Sequence, residues 1–189
     1  ESIMASKNYK EIIKAESERL GFCLFGISTV KKLQGFQRYV DWINHDFHAN
    51  MAYLATDRAL QLRHNPEMVL SGARSIISLG VKYPAPGKIV SNNGYGKIAA
   101  YACGEDYHIT LINKLNKLIT SSLSITGHEL SYRIYTDTGP LLEREMAQQA
   151  GLGWFGKNSC LISPKYGSFI LLCEILTDLV LEPDTPFNY

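Results

Sequence analysis

The chain passes from an apparent strand into an apparent helix at residues 135–144, which read YTDTGPLLER. Asp137 stands at the junction, and an acid at the carboxyl end of a strand is a common component of a site in an α/β protein. The residues alone leave two interpretations open. Either Asp137 or Thr138 caps a helix that begins at Pro140, or a partly desolvated Asp137 acts as a proton donor. Arg144, two helical turns on, would hold Asp137 ionised if the two side chains met.

A glycine-rich turn follows this helix, where residues 150–158 read AGLGWFGKN. Its spacing differs from that of the phosphate-binding loop, and it follows a helix instead of separating a strand from a helix. Its glycines are expected to end the helix and to let the backbone pass close to a flat or bulky neighbour. Gly153 would provide that close approach, and Lys157 and Asn158 would add polar contacts.

A third polar cluster, residues 101–108, reads YACGEDYH and precedes the clearest helix of the chain. Acids at a helix N-terminus are favoured by the helix dipole, so Asp106 has an ordinary structural explanation. His108 is not needed for the helix, and it is either a site residue or a residue that orders its own loop. Cys103 alone is weak support for a cofactor contact. Arg63 is by default a surface arginine, with contact to an anion or a carboxamide as the alternative.

Length and composition describe one domain with an ordinary core. The 189 residues suffice for one full domain, and the formal net charge of +1 gives no global basic field that would indicate nucleic acid. The four cysteines are Cys23, Cys103, Cys160 and Cys173, and their spacings fit neither a zinc site nor a self-contained iron–sulfur ligand set. We find no signal peptide and no apolar run of about 20 residues, so we expect a cytoplasmic protein.

Hydrophobic periodicity predicts helices over 7–20, 33–47, 106–126 and 140–151, with short helical turns at 51–54 and after Pro66. Strands are predicted over 22–28, 75–81, 98–102, 130–135, 159–162 and 169–176. Helices alternate with strands early, and the last two strands are close enough for a hairpin. The predicted class is therefore α/β (α+β), with a mixed β-sheet flanked by helices. Residues 83–97 form the longest loop and a candidate lid.

Taken together, these segments resemble the N-terminal domain of epoxyqueuosine reductases, the cobalamin-dependent iron–sulfur enzymes of the last step of queuosine synthesis in tRNA. The resemblance extends over nearly the whole chain. It is carried by Met51–Leu54, Arg63 with Pro66, Ser71–Ser75, Tyr101 and Ala102 with Gly104, Asp106–His108, Asp137–Pro140 with Glu143 and Arg144, Ala150–Trp154 with Gly156–Asn158, and Gly167 and Ser168 leading into Glu174, Thr177 and Asp178. No single segment is decisive, but so many in this order indicate the family.

The resemblance implies a domain that binds cobalamin without an axial protein histidine, in a fold like that of flavin-reductase-like and nitroreductase-like cobalamin-processing domains. The residues that it implies around the cofactor are Arg63, Tyr101, Cys103, Asp106, His108, Arg144, Gly153, Lys157 and Asn158. The substrate would be epoxyqueuosine in tRNA, and an external reductant would supply the electrons. Asp137 would protonate the epoxide oxygen, whose loss as water gives queuosine.

The resemblance also bears on domain organisation. Members of the family continue with a ferredoxin-like domain, whose cysteine runs ligate two [4Fe–4S] clusters. We therefore expect residues 1–182 to form the cobalamin-binding domain and residues 183–189 to begin a linker. On that basis we expect the chain alone not to turn over substrate. Two alternatives stay open: a corrinoid reductase with another substrate, such as a dehalogenase relative, and a cobalamin carrier without enzymatic activity.

Overall fold

The computed structural model describes residues 2–84, 96–122 and 130–187, and for residues 2–7 it describes the backbone only. The helices in these ranges are α1 (Ser2–Arg19), α2 (Phe36–Asn44), α3 (Asp57–His64), α4 (Tyr107–Ser122) and α5 (Glu143–Gln149). The strands are β1 (Leu24–Thr29), β2 (Ser75–Lys82), β3 (Tyr132–Tyr135), β4 (Trp154–Phe155), β5 (Leu161–Ile162) and β6 (Ile170–Thr177). Short 3-10 turns lie at Ala52–Leu54, Pro66–Met68 and Ala100–Ala102.

The central sheet contains four strands in the order β1-β2-β6-β3, and each of its pairings is antiparallel. The predicted α/β (α+β) class with flanking helices is confirmed, but the described strands form an antiparallel sheet and not a mixed one. Connections that contain helices are long enough to return the chain in either direction. The sequence pattern therefore identified the strands without determining the direction of their pairing.

The last two predicted strands do not form a hairpin with each other. β5 pairs with β4 in a separate two-stranded ribbon, whereas β6 lies between β2 and β3 in the central sheet. The hairpin prediction was wrong because it rested on closeness in sequence alone. The partner strand, β4, contains only Trp154 and Phe155, which is too short a segment to show a strand pattern.

One side of the central sheet, called here the α4 face, is covered by α1 and α4. Leu111, Leu115 and Leu118 of α4 are buried there against strand residues such as Ile77. Their spacing of three to four residues places them on one side of the helix. Ile109 is an apolar residue of the same helix, but it is 55% exposed. It lies two positions before Leu111, which rotates it by about 200° around the helix axis.

The opposite side of the sheet, called here the α5 face, is covered by α5. Gly26 of β1 makes a close approach possible, because a Cβ at this position would overlap the Ala150 carbonyl oxygen. Met146 and Ala147 of α5 are completely buried. The helix therefore packs directly on the sheet, and the strand residues beneath it are sealed from solvent.

The segment after β6 runs back along the edge strand β1. The Asp184 backbone N–H donates to the Ile27 carbonyl at 2.8 Å, and Asp184 Oδ2 accepts the Ile27 N–H at 2.8 Å. Lys10 Nζ lies 2.6 Å from Asp184 Oδ1, and Phe187 stacks on Trp154. These contacts satisfy outward-facing backbone groups of an edge strand. The predicted boundary between domain and linker stays a prediction.

Two further secondary-structure predictions are wrong. Residues 98–102 contain the 3-10 turn Ala100–Ala102 and no strand, because so short an apolar run carries no readable period. α5 begins at Glu143 and not at Pro140. Most of the candidate lid at 83–97 and the end predicted for α4 lie outside the described residues.

None of the helices that the structure describes is both long enough and apolar enough to cross a membrane.

Candidate active site

The Asp137 turn runs from Thr136 to Gly139, directly after β3. Asp137 has a positive φ of 58°, a conformation that aspartate tolerates better than most residues. Thr136 is buried and donates its hydroxyl to the Leu172 carbonyl at 3.1 Å, which ties the turn to β6. Gly139 packs on the Tyr135 ring, where a Cβ would come within 2.6 Å. The turn is therefore tightly packed inside, while the Asp137 side chain stays 67% exposed.

The start of α5 tests the capping interpretation of Asp137. The N-cap position is Leu142, and among the described residues no side chain caps this helix. The helix begins at Glu143 and not at Pro140, and neither Asp137 nor Thr138 holds its N-cap position, so the capping interpretation is wrong. The error came from Pro140, whose fixed φ suits a first helical turn but which here stays in the loop.

Asp137 contacts the first turn of α4. The Tyr107 hydroxyl donates to Asp137 Oδ2 at 2.8 Å, and His108 Nε2 lies 3.7 Å from the same oxygen. On its other side, His108 Nδ1 is 2.8 Å from Asp106 Oδ1, which also accepts the His108 backbone N–H at 2.9 Å. The Tyr107 and His108 rings stack with centroids 4.1 Å apart. Three predicted site residues, Asp106, His108 and Asp137, are thus brought together.

The electrostatics of this cluster separate the roles of its members. Burial raises the pKa of Tyr107, and the hydrogen bond to Asp137 raises it further. The backbone N–H and then the imidazole of His108 lower the pKa of Asp106. Tyr107 therefore stays a phenol that orients Asp137, and Asp106 stays a carboxylate that holds the His108 ring.

An aromatic strip, made of Tyr83, Tyr101, Tyr107 and Phe169, continues from the cluster along the surface. Neighbouring rings meet edge-on with centroids between 5.6 and 6.2 Å apart. The predicted site residue Tyr101 is 48% exposed within it. A shallow cleft of about 190 Å³ lies beside the strip, lined in part by Val81, Gly104, Glu105, Thr110 and Lys114. This volume is too small to enclose a large ring, but the strip offers an open apolar surface.

The glycines of the turn after α5 have structural explanations. Gly151 has a φ of 79° and ends the helix. A Cβ on Gly153 would overlap the Ile162 carbonyl oxygen, and a Cβ on Gly156 would overlap the Ile162 side chain. The close neighbour of this turn is therefore β5, and the predicted cofactor contact of Gly153 stays a prediction.

The polar end of the same turn is open to solvent. Lys157 and Asn158 are exposed, and Asn158 Oδ1 accepts the Cys160 N–H at 3.1 Å. Burial raises the pKa of Tyr83, and the nearby Cys160 thiol adds to the rise. This proximity places the turn beside the aromatic strip. Cys103, near the other end of the strip, is exposed as well.

The two predicted arginines make contacts away from the acid. Arg144 donates to the Ser159 carbonyl, and within the described residues it forms no ion pair with Asp137. Arg144 therefore binds the end of the glycine-rich turn. The expectation that Arg144 would keep Asp137 ionised through an ion pair is not met. The Arg63 guanidinium lies over the Tyr39 ring, 5.2 Å from its centroid. The cofactor roles of both arginines stay predictions.

Three residues of this region received no role in the sequence interpretation: Tyr107, Glu143 and Glu174. Glu174 is completely buried in the middle of β6, which reads ILLCEILT. A lone acid in an otherwise apolar strand is rare, and this pattern could have indicated from the sequence that Glu174 has a special role. Among the residues that the structure describes, no group of three histidine, cysteine or acidic residues is placed to hold a metal ion.

Comparison with known proteins identifies relatives of the chain. Residues 63–138 match the family model described as epoxyqueuosine reductase QueG, DUF1730. The chain is 39% identical over 162 residues to the epoxyqueuosine reductase of Synechocystis, which covers 86% of this chain and 54% of the relative. It is 37% identical over 183 residues to that of Leadbetterella byssophila, which covers 96% of this chain and 59% of the relative. The chain therefore spans about half the length of the curated relatives it matches.

Solved epoxyqueuosine reductases have the same fold. One, in complex with an epoxyqueuosine-modified stem loop of tyrosine tRNA, matches with a TM-score of 0.85 and 25% identity, over 96% of this chain and 48% of that one. A Bacillus subtilis structure, described with its catalytic aspartate loop swung out of the active site, matches with a TM-score of 0.78 and 25% identity, over the same shares of both chains.

A more distantly related protein has a similar fold. A reductive dehalogenase, described with a mechanism for B12-dependent dehalogenation, matches with a TM-score of 0.61 and 14% identity, over 97% of this chain and 21% of that one. At this identity the match shows the fold alone. The family resemblance of the sequence is thus confirmed: the chain is homologous to epoxyqueuosine reductases, which are oxidoreductases, over about half of their length.

Proposed function

We propose that this chain carries the cofactor-facing half of an epoxyqueuosine reductase, in which Asp137 donates a proton to the epoxide oxygen. The observation that carries the proposal is the Asp137 turn, which presents an exposed carboxyl in an uncommon backbone conformation, oriented by Tyr107. Homology supplies the substrate class. The Bacillus subtilis structure described by its catalytic aspartate loop supports a turn as the place of the acid.

The reaction requires a proton donor near the epoxide oxygen. Conversion of an epoxide to an alkene takes up two electrons and two protons and releases one water, so the leaving oxygen needs a nearby donor. The Tyr107 hydroxyl already bonds Asp137 Oδ2, which leaves Oδ1 as the better position for the transferable proton. His108 Nε2, next to Oδ2, can return a proton to the carboxyl after transfer.

The chemistry of the surface beside Asp137 supports cobalamin as the cofactor. A corrin ring is wide, largely apolar and rimmed by amides, so it requires an apolar contact area bordered by polar groups. The aromatic strip, whose rings meet edge-on, offers the apolar area, and the exposed Lys157 and Asn158 offer the polar border. The contacts proposed from the family resemblance are Arg63, Tyr101, Cys103, Asp106, His108, Arg144, Gly153, Lys157 and Asn158. When bound, cobalamin would supply the electrons through low-valent cobalt.

The proposed substrate is tRNA that carries epoxyqueuosine, since a structural neighbour was solved with such a stem loop. Electrons would come from an external reductant by way of two [4Fe–4S] clusters in a further domain of the whole protein. Such an enzyme would act in the cytoplasm. With a net charge of +1, the chain has no global basic field, so tRNA would be held by local contacts and by the rest of the whole protein.

An absorbance titration of the chain with cob(II)alamin tests the cofactor. We expect a spectral change that saturates with added cobalamin. No change, even with the remaining half of a matched reductase supplied, would show that the chain is not a cobalamin-binding domain.

The Asp137→Asn variant tests the mechanism, in an assembly of this chain with the remaining half of the Synechocystis relative. Cobalamin binding should persist, and reduction should fall by about 10²–10⁴-fold, because an amide cannot donate the proton. Asp46→Asn is the matched control, since Asp46 is also exposed with a positive φ of 56°. Near-normal activity of Asp137→Asn would exclude this acid as the donor. Cobalamin binding without reduction by the unsubstituted assembly would favour the carrier alternative.

A further inference from the structure

Glu174 belongs to a row of residues that crosses the central sheet on the α5 face. Strand register places Gly26, Ser78, Glu174 and Tyr135 side by side on β1, β2, β6 and β3. Ser78 and Glu174 are completely buried, and Gly26 lets α5 approach the sheet closely. A polar patch is therefore sealed beneath α5, in the floor of the sheet.

Glu143, the first residue of α5, directs its carboxyl into this patch. The residue as a whole is half-buried, but its Oε1 is sealed from solvent. Its carboxyl lies within hydrogen-bonding reach of the Glu174 carboxyl. Within the described residues, no other group donates to either Glu174 oxygen. Two carboxylates cannot donate to each other, so a bond between Glu143 and Glu174 requires a proton on one of them.

The surrounding charges determine which acid keeps that proton. Burial raises the pKa of Glu174 well above its ordinary value, and the Glu143 carboxyl adds to the rise. Burial raises the pKa of Glu143 to about 7, and the Asp137 carboxyl adds to the rise, whereas the Asp137 backbone N–H and Arg144 oppose it. Glu174 is completely buried, whereas Glu143 is half-buried and lies near Arg144, so the pair loses its first proton from Glu143 and Glu174 remains the donor.

Two further titratable groups lie near enough to sense Glu143. Tyr107, on α4, is one, and Cys173, on the opposite side of β6, is the other. Burial raises the pKa of both groups, so both stay neutral while Glu143 titrates. Tyr107 and Cys173 therefore add no changing charge near Glu143. His108 also lies beside the Asp137 turn, with its Nε2 3.7 Å from Asp137 Oδ2.

We propose that Glu143 and Glu174 form a positioning pair for Asp137, in which the protonation of the pair controls the hold of Glu143 on the Asp137 turn. With a proton on each acid, Glu143 is a weak acceptor for the Asp137 backbone N–H. Once one proton has passed to solvent, the Glu143 carboxylate accepts from both the Asp137 N–H and the protonated Glu174, and charge-assisted bonds are the stronger ones. The meaning for catalysis rests on the proposed function of Asp137, but the titration of the pair does not.

A pH titration of the ¹⁵N-labelled chain tests this pair. The readout is the Asp137 amide resonance, assigned by selective aspartate labelling and its loss in Asp137→Asn. We expect it to shift with a midpoint near the pKa of about 7 of Glu143. All samples carry His108→Gln, so that the imidazole beside Asp137 Oδ2 does not contribute to the shift. In this background Glu143→Gln should abolish the shift. Glu174→Gln should lower the midpoint by about 1 pH unit, because an amide donates to the Glu143 carboxylate without competing for a proton.

Glu145→Gln is the matched control, since Glu145 is a buried acid of the same helix that accepts the Gly35 N–H instead. It should leave the Asp137 titration unchanged. An Asp137 resonance that stays constant between about pH 5 and pH 9, or that still titrates in Glu143→Gln, overturns the proposal. If Glu174→Gln does not fold, the comparison of the His108→Gln protein with its Glu143→Gln variant still tests the proposal. The titration needs neither cobalamin nor tRNA, so its failure is distinguishable from failure of the reductase proposal.

Discussion

The α4 face and the α5 face of the same sheet bury different kinds of residue. Along β6, Cys173 and Ile175 face α4 within an apolar cluster, whereas Glu174 between them faces α5. Along β2, Ser78 is the buried neighbour of Glu174 on the α5 face. Successive side chains of a strand point to opposite sides. One strand can therefore supply a stabilising core to one face and a polar site to the other.

The α4 face is the main source of folding stability, whereas the α5 face contains the polar groups next to Asp137. The α4 face gains free energy from tightly packed leucines and isoleucines. The α5 face contains a buried acid pair next to the Asp137 turn, an arrangement that departs from ordinary core rules. Such departures are expected at functional sites and are offset by stability elsewhere in the fold.

The largest effect on stability is expected from Leu115→Ala on the α4 face. Leu115 is completely buried, so truncation should cost about 2–5 kcal/mol of unfolding free energy through lost burial and a residual cavity. Urea unfolding measures the loss. Ile109→Ala on the same helix is the control, because Ile109 is 55% exposed and should change stability by less than about 0.5 kcal/mol. Equal losses for both variants would remove the α4 face as the main source of stability.

A slightly smaller change in unfolding free energy is expected when the pH is raised through the range in which Glu143 titrates. The pKa of Glu143 rises from 4.5 to about 7 on folding, so the folded state binds the proton more tightly than the unfolded state. Its stabilising contribution is complete below about pH 4.5 and is lost as pH rises to about 7, for a total of about 3 kcal/mol.

Urea unfolding at a series of pH values checks this dependence. Glu143→Gln should flatten the decline, because glutamine does not titrate. Glu67→Gln, at an exposed acid, should leave the decline as it is in the wild type. A decline of unchanged slope in Glu143→Gln would mean that the α5 face holds no raised acid at this position.

The smallest of the three effects is expected from Gly26→Ala on the α5 face. The added Cβ would overlap the Ala150 carbonyl oxygen, which pushes α5 away from the sheet and should cost about 1–3 kcal/mol. Gly104→Ala is the control, since a Cβ at Gly104 would meet none of the described atoms within 4 Å. Denaturant unfolding compares the two. A neutral Gly26→Ala would show that the close approach of α5 is not required.

Much of the fold could be predicted from local patterns. The helical period of α4, the glycine after α1 and the β-branched run of β2 each act over a few residues. The same holds for part of the site, since Asp106 and His108 are neighbours in sequence. The capping hypothesis for Asp137 failed for the same reason, because Pro140 is a local signal and the start of α5 depends on packing against the sheet.

The sequence by itself determined most of the helices, most of the strands, the family resemblance and the hypothesis that Asp137 is a proton donor. It did not predict α3. Tertiary structure decided the rest. It placed the Tyr107 hydroxyl on Asp137 across 30 residues of chain, and it set Glu174 beside Ser78 and beneath Glu143. The physical reason is that hydrophobic periods arise from neighbouring residues, whereas contacts between elements depend on strand order and register. Many orders and registers are compatible with the same local pattern, and only the packed chain selects one.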